Sequence, residues 1–334
     1  MAQRKNVSIQ MIARQCGVSI ATVSRVLNND PKVAESTRQK ILAALVESGY
    51  RPPAPPAAGV KKVGVVIDTQ VNDYYRALVI QLHDAFKEVG LRTITVSLGY
   101  QKDAAPDILR TVYDCNVCGV ILITCDYLSL RSVLDPRLPH VWIDCNDPPE
   151  DTKEICQVQS EQFVSGVMAA QELYRKGSTK PILLGGSTVS HRMRERFEGF
   201  RSVYRKHGIE IGEDRIIHTP RVREVLDESK QAIRYLISTE YPFDGVFAIS
   251  DWRALGAYLA LSEMGIKIPE EVKIIGYDGV SPATRIILNI TSIQQNIHQI
   301  SRSARELLIA QMENRPIENK RVIIPTSILS GQTL

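Results

Sequence analysis

Polar and apolar positions change their period partway along the chain. Over the first fifty residues they follow helical spacing in three short runs. Ser8 reads as an N-cap, with Ile9, Ile12 and Ala13 as a buried stripe behind it. Gly17 then ends that helix and Val18 is the apolar residue of a tight turn. Ser19 caps a second helix from Ile20 to Asn28, with Val23, Val26 and Leu27 inward and Ala21, Thr22 and Arg25 outward. Pro31 interrupts, and Glu35-Ser36-Thr37 starts a third helix whose Ile41, Leu42 and Leu45 close a miniature core before Gly49. Two short helices joined by a glycine turn, with a third as support, form a helix-turn-helix plan. A three-helix interaction module fits the same pattern.

From Val63 onward, short and nearly continuous apolar runs alternate with amphipathic stretches. Strands are expected at 63–68, 92–97, 119–124, 140–144, 180–185, 245–249 and 272–276, and helices at 74–89, 161–176, 191–207, 228–238, 252–264 and 296–313. That alternation predicts an α/β fold with doubly wound sheets. About 270 residues is generous for one sheet, so two lobes are expected, with a ligand cleft at the carboxyl ends of their strands. Between head and body, residues 51–62 place four prolines within five positions and read as a polyproline-like linker. The expected organisation is 1–50, 51–62 and 63–334.

Charge sharpens the picture. Across the 334 residues the net charge is only +4, but residues 1–62 carry +7 and the remainder −3. A small basic head on a near-neutral body is the footprint of a nucleic-acid binder, although a solvated basic arm would leave the same imbalance. No apolar run is long enough for a membrane span, and the polar start carries no apolar signal core, so a cytoplasmic location is expected. Cys115 and Cys118 form a C-x-x-C pair with no second ligand pair, which reads as ordinary thiols rather than a metal site. No phosphate-loop, nucleophile-elbow or zinc-protease pattern occurs, so neither an enzyme nor a cofactor is expected. A solute-binding receptor is the rival reading of the body, and the helix-turn-helix head argues against it.

The residues of the head strongly resemble the LacI/GalR repressor family. The likeness runs through Ser8-Ile9, Ile12-Ala13, Gly17-Val18-Ser19, the string Ala21-Thr22-Val23-Ser24-Arg25-Val26-Leu27-Asn28, Thr37-Arg38 and Gly49-Tyr50-Arg51-Pro52. It implies that Ile20, Ala21 and Arg25 face base edges and that Ser8, Ser19, Thr22, Ser24 and Asn28 contact phosphates of a palindromic operator in double-stranded DNA, read by a homodimer. Met11 stands where the family usually has an aspartate. The linker departs further: the family's short hinge helix, with its minor-groove leucine, has no counterpart among these prolines. Weaker operator bending and a rigid-body route from effector to DNA are the consequences expected.

The body resembles, less tightly, the periplasmic-binding-protein-like core of the same family. Its landmarks are Val63-Gly64-Val65-Val66, Cys118-Gly119-Val120-Ile121, Arg196-Phe197-Glu198-Gly199-Phe200, Asp251 with Ala254-Leu255-Gly256, Ile275-Gly276-Tyr277-Asp278 and Thr291-Ser292-Ile293-Gln294-Gln295. The resemblance implies three crossings between lobes, one lobe near 63–158 plus 293–321 and the other near 159–292 plus 322–334. It also implies a small polar effector, a sugar or sugar derivative, held by Arg196 and Asp278, stacked on Tyr74 and Tyr75, and bordered by Thr124, Asp126, Asp144, Ser250 and Gln295. Bland readings stand beside these: Asp251 as a helix N-cap, the tyrosines as a packed helix start, and the charged run Arg192 to Arg196 as solvated surface. Ser160 replaces a common aspartate and Arg221-Val222-Arg223-Glu224 a frequent aromatic lid, changes that suit a more anionic effector.

Overall fold

The structure, a computed structural model, describes residues 9–27, 33–48, 61–68, 72–98, 105–146, 148–149, 155–186, 190–219, 225–280 and 288–334. It divides into two compact units, 1–60 and 61–334. The expected linker, apart from its last two residues, lies outside the described residues, as do Ser8 and Asn28.

The first unit contains α1 (Ile9–Cys16), α2 (Ile20–Leu27) and α3 (Glu35–Ser48). Gly17, at φ +67, sits where an L side chain would be strained. Its N–H reaches the Arg14 carbonyl at 3.2 Å, and the Val18 N–H reaches Ala13 at 3.0 Å, which closes α1 with a Schellman motif. Ser19 Oγ then accepts from the Thr22 N–H at 3.1 Å and caps α2. The core consists of Ile12, Ala13, Cys16, Val23, Val26, Ile41, Ala44 and Leu45. Leu42, expected inside, is 41% exposed. The inward stripe of α3 runs through 41, 44 and 45, and Leu42 lies about 100° off it, so Ala44 takes its place.

The second unit holds two six-stranded sheets. Its elements in chain order are β1 (Lys62–Ile67), α4 (Asp73–Lys87), β2 (Arg92–Ser97), α5 (Ala105–Asp114), β3 (Val117–Ile123), α6 (Tyr127–Leu130), β4 (His140–Ile143), β5 (Cys156–Ser160), α7 (Gln162–Arg175), β6 (Pro181–Gly186), α8 (His191–Lys206), β7 (Ile216–Thr219), α9 (Val225–Ser238), β8 (Gly245–Ala248), α10 (Asp251–Glu263), β9 (Lys273–Asp278), β10 (Ser292–Gln294), α11 (Ile297–Met312), β11 (Arg321–Ile324) and β12 (Ser327–Leu329). The strand orders are β11-β5-β4-β3-β1-β2 and β12-β10-β9-β8-β6-β7. All pairings are parallel except β10 with β12. Each sheet is covered on both faces by buried aliphatic and aromatic side chains, as the continuous apolar runs require.

The α/β class and both doubly wound sheets agree with the sequence reading, while several elements escape it. In β5, Cys-Gln-Val-Gln-Ser alternates like a surface strand, yet all five residues are buried because β4 and β11 flank it. β10 and β12 have three residues each and β7 and β11 four, too short for a period to register, and α5 forms where the sequence reading expects no element. The chain passes between sheets three times, each a few residues later than expected: β10 belongs to the second sheet and β11 to the first.

Candidate effector cleft and recognition helix

Both sheets have a topological switch point, where connections from one strand depart in opposite directions: between β1 and β3 in the first, between β6 and β8 in the second. Polar side chains gather at the carboxyl ends there. Thr124 follows β3 and Asp144 follows β4, and each lies at positive φ, +54 and +53. A β-branched threonine in that region is strained, a feature that tends to persist at working sites. Their backbones are pinned by N–H bonds to Ile143 at 2.9 Å and Val158 at 3.0 Å.

On the same side, Asn72 Oδ1 caps α4 by accepting from the Tyr75 N–H at 2.9 Å, which sets Tyr74 and Tyr75 in its first turn. Tyr74 is buried in the first-sheet core, edge-on to Tyr75 at 4.9 Å. Burial pushes the Tyr75 hydroxyl up to about 12, with Arg192 working against it. Burial and then the Asp144 carboxylate hold Tyr74 well above the usual phenol range. Three buried oxygens here lack a hydrogen-bond partner: Tyr74 Oη, Thr124 Oγ1 and Asp144 Oδ1.

Across the cleft, α8 supplies Arg192 and Arg196. Arg192 reaches Asp144 at 3.1 Å and donates to Asn146 Oδ1 at 3.1 Å. Burial opposes its charge, but Asp144 and Tyr75 outweigh burial and raise its pKa. The expectation of a solvated charged run is therefore wrong at this position: Arg192 is 15% exposed and Asp144 2%. Arg192 shares one helix face with Arg196, four residues on. Trp252 Nε1 adds a second bridge, donating to Asp73 Oδ2 at 3.1 Å.

Arg196 lies with its Cζ 3.4 Å from the centre of the Tyr277 ring and donates to Gln162 Oε1 through Nε at 3.1 Å. Two glycines allow this. A β-carbon at Gly166 in α7 would overlap the Arg196 carbonyl, and one at Gly199 in α8 would overlap that of Phe163. Asp278 ends β9 at φ +114 and accepts from Gln295 Nε2 at 2.9 Å. Gln295 Oε1 accepts in turn from Ser160 Oγ at 2.6 Å. Ser160, in place of the family's aspartate, thus donates within a buried relay. Burial and repulsion from Asp251 raise the Asp278 carboxyl to about 8, although Arg196 and Gln295 pull it down. A proton held there gives Asp278 an O–H donor beside the oxygen that accepts from Gln295.

The remaining candidates serve locally. Asp126 caps α6, accepting from the Ser129 N–H at 2.9 Å. Ser250 is the N-cap residue of α10 without a side-chain cap bond, so Asp251 is not the cap that was expected. Asp251 is buried and instead accepts from the Gly279 N–H at 2.9 Å and Ser292 Oγ at 2.6 Å.

In the head, Ile20 (46% exposed), Ala21 and Arg25 share the outer half of α2, opposite Val23 and Val26. Ser19 Oγ and Thr22 Oγ1 meet at 2.9 Å at the helix start. The side chain of Ser24 lies outside the described residues.

Comparison with known proteins places this geometry. Residues 8–53 match the model of bacterial regulatory proteins of the lacI family, and residues 170–334 match a periplasmic binding protein-like domain. The ribose operon repressor of Halalkalibacterium halodurans is 26% identical over 333 residues, covering 98% of this chain and 96% of its own. Among solved structures, the transcriptional regulator CelR–cellobiose complex aligns with a TM-score of 0.71 at 24% identity, covering 98% of this chain and 100% of that one. The lac repressor dimer bound to operator and the anti-inducer ONPF aligns with a TM-score of 0.72 at 19% identity, covering 98% and 99%. No helix among the described residues is long and apolar enough to cross a membrane. The chain thus joins a helix-turn-helix of the bacterial lacI-family type to a periplasmic-binding-protein-like domain, and its homologues are LacI-family repressors.

Proposed function

We propose that this chain is an operator-binding repressor, working as a homodimer, whose DNA affinity is set by a small polar effector held between the two sheets. The effector class is a sugar or sugar derivative. The observation that carries the reading is the set of buried, unpartnered oxygens on Tyr74, Thr124 and Asp144 beside the Arg192 guanidinium. Buried polar atoms without partners are costly, and a hydroxyl-rich ligand supplies the missing bonds. Arg196, Asp278 and Gln295 are the effector contacts proposed from the second sheet, with Ser250 and Asp126 as further candidates. At the head, Ile20, Ala21 and Arg25 enter the major groove while Ser8, Ser19, Thr22, Ser24 and Asn28 hold phosphates.

The relatives support the same partners: one was solved as a dimer on its operator and another with cellobiose. A head of this size covers one half-site, so a palindrome needs two copies. Selection from a random duplex library at two salt concentrations tests the DNA reading. A palindrome is expected, with affinity falling steeply as salt rises. Arg25→Ala should abolish that selection without lowering Tm, and a variant that still selects the wild-type palindrome would count against the assignment. Trp252, bonded across the cleft, reports effector binding as a change in tryptophan fluorescence.

A further inference from the structure

The switch point of the second sheet holds a cation that the cleft described so far does not use. Arg253 lies in the first turn of α10, with its guanidinium between the carboxyl ends of β6 and β8. Its Nη1 donates to the Ile249 carbonyl, one residue past β8, at 3.2 Å. Its Nη2 would stand 3.0 Å from a β-carbon at Gly186, the last residue of β6. Gly186 therefore leaves room for the head group where a side chain would crowd it. Nε is buried without a hydrogen-bond partner. Among the described residues, that single carbonyl is its hydrogen-bond partner.

Buried arginines are ordinarily met by a carboxylate in a forked pair. Glu228 in α9 and Asp278 are the carboxylates whose charge reaches Arg253, and neither forms an ion pair with it within 4 Å. The balance shows in its titration: burial lowers the Arg253 pKa despite both acids. Burial and repulsion from Asp251 also push the Asp278 carboxyl up, so it offers Arg253 less negative charge. A half-met guanidinium at the strand ends of a doubly wound sheet is placed to receive an anion.

We infer that the effector is an acid, and that Arg253 takes its carboxylate or phosphate at the β6–β8 end of the cleft while the Tyr74, Thr124 and Asp144 end takes its hydroxyls. This rests on the cleft reading above and adds the charge of the ligand. Arg253 is then a specificity residue: it discriminates acid from neutral sugar and has no structural partner to replace it.

The test uses the full-length protein and matched pairs: ribose with ribose 5-phosphate, and glucose with glucose 6-phosphate and with gluconate, each followed by calorimetry. In the wild type, an acidic member is expected to bind about ten- to a hundredfold more tightly than its neutral partner. Which acid wins separates phosphate from carboxylate. Arg253→Met should erase that preference, and Arg253→Lys should keep part of it. Because methionine fills the same path without an under-met charge, unliganded Arg253→Met should also melt higher than wild type. Equal binding of neutral sugars, acid binding unchanged in Arg253→Met, or a lower Tm for that variant without ligand would each overturn the inference while leaving the cleft reading intact. Failure of every compound to bind would overturn both.

Discussion

At the scale of single residues, two buried charges govern the cleft. Arg192 comes from α8 and Asp144 from the end of β4, and each is desolvated by the contact. Removing one partner of such a pair leaves the other buried and uncompensated, at a cost of about 3 kcal/mol. Arg192→Ala should therefore lower the unfolding free energy by about that amount. The double change Arg192→Met with Asp144→Asn should recover most of it, and urea unfolding of the four proteins measures the coupling. If the two single changes simply add, the pair is not coupled. Asp278 gives a pH signature. Its folded carboxyl, at about 8, keeps a proton that the unfolded chain releases near 3.8. The folded state thus binds more protons in this window, and stability falls as pH rises from about 4 to about 8, by up to about 1.4 kcal/mol per unit. Asp278→Asn should flatten that slope and be more stable than wild type at pH 8. Identical slopes for the two proteins, measured by unfolding at pH 5 and pH 8, would remove the assignment.

At the scale of elements, the close approach of α7 and α8 decides where the α8 arginines point. Gly166 and Gly199 each face a backbone carbonyl of the other helix, with no room for a methyl group. Gly166→Ala or Gly199→Ala should force the helices apart and cost about 1–3 kcal/mol, the usual range for overpacking. Arg196 would shift from Gln162 and the Tyr277 ring, so the glycine variants should also weaken effector binding. A variant that keeps wild-type stability in urea would show that the helices part without strain. The same reasoning explains why the motif around Arg196 was legible. Gly199-Phe200 marks a glycine contact and a core aromatic, and those hold α8 in register. Arg192, one turn earlier, has no such neighbour in sequence, and only its partner across the cleft distinguishes it from a surface charge.

At the scale of the whole molecule, head and core are separate compact units, each with its own apolar clusters. A fragment of residues 61–334 should therefore fold alone, with a cooperative melt close to that of the full chain, and bind the effector without binding DNA. A fragment that melts without cooperativity would show that the core depends on the head. Within the core, the buried relay Ser160–Gln295–Asp278 joins two of the three crossings between sheets to the cleft. A ligand that changes the protonation or contacts of Asp278 acts directly on those crossings. That is a physical route from a bound ligand to the arrangement of the two sheets.

What the chain determined by itself were the features set by near neighbours in sequence. The Gly17 turn and Ser19 cap, the helical stripes of the head, the apolar runs of the long strands and the charge asymmetry all depend on residues a few positions apart. So do the motif strings that carry the family. Tertiary structure decided the rest. Only packing shows that polar β5 is interior and that Leu42 faces out while Ala44 faces in. Only contact between distant segments pairs Arg192 with Asp144, places Asp278 beside Asp251 and leaves Arg253 short of a partner. Burial and distance set the strength of a charge, and neither exists until the sheets have closed on one another.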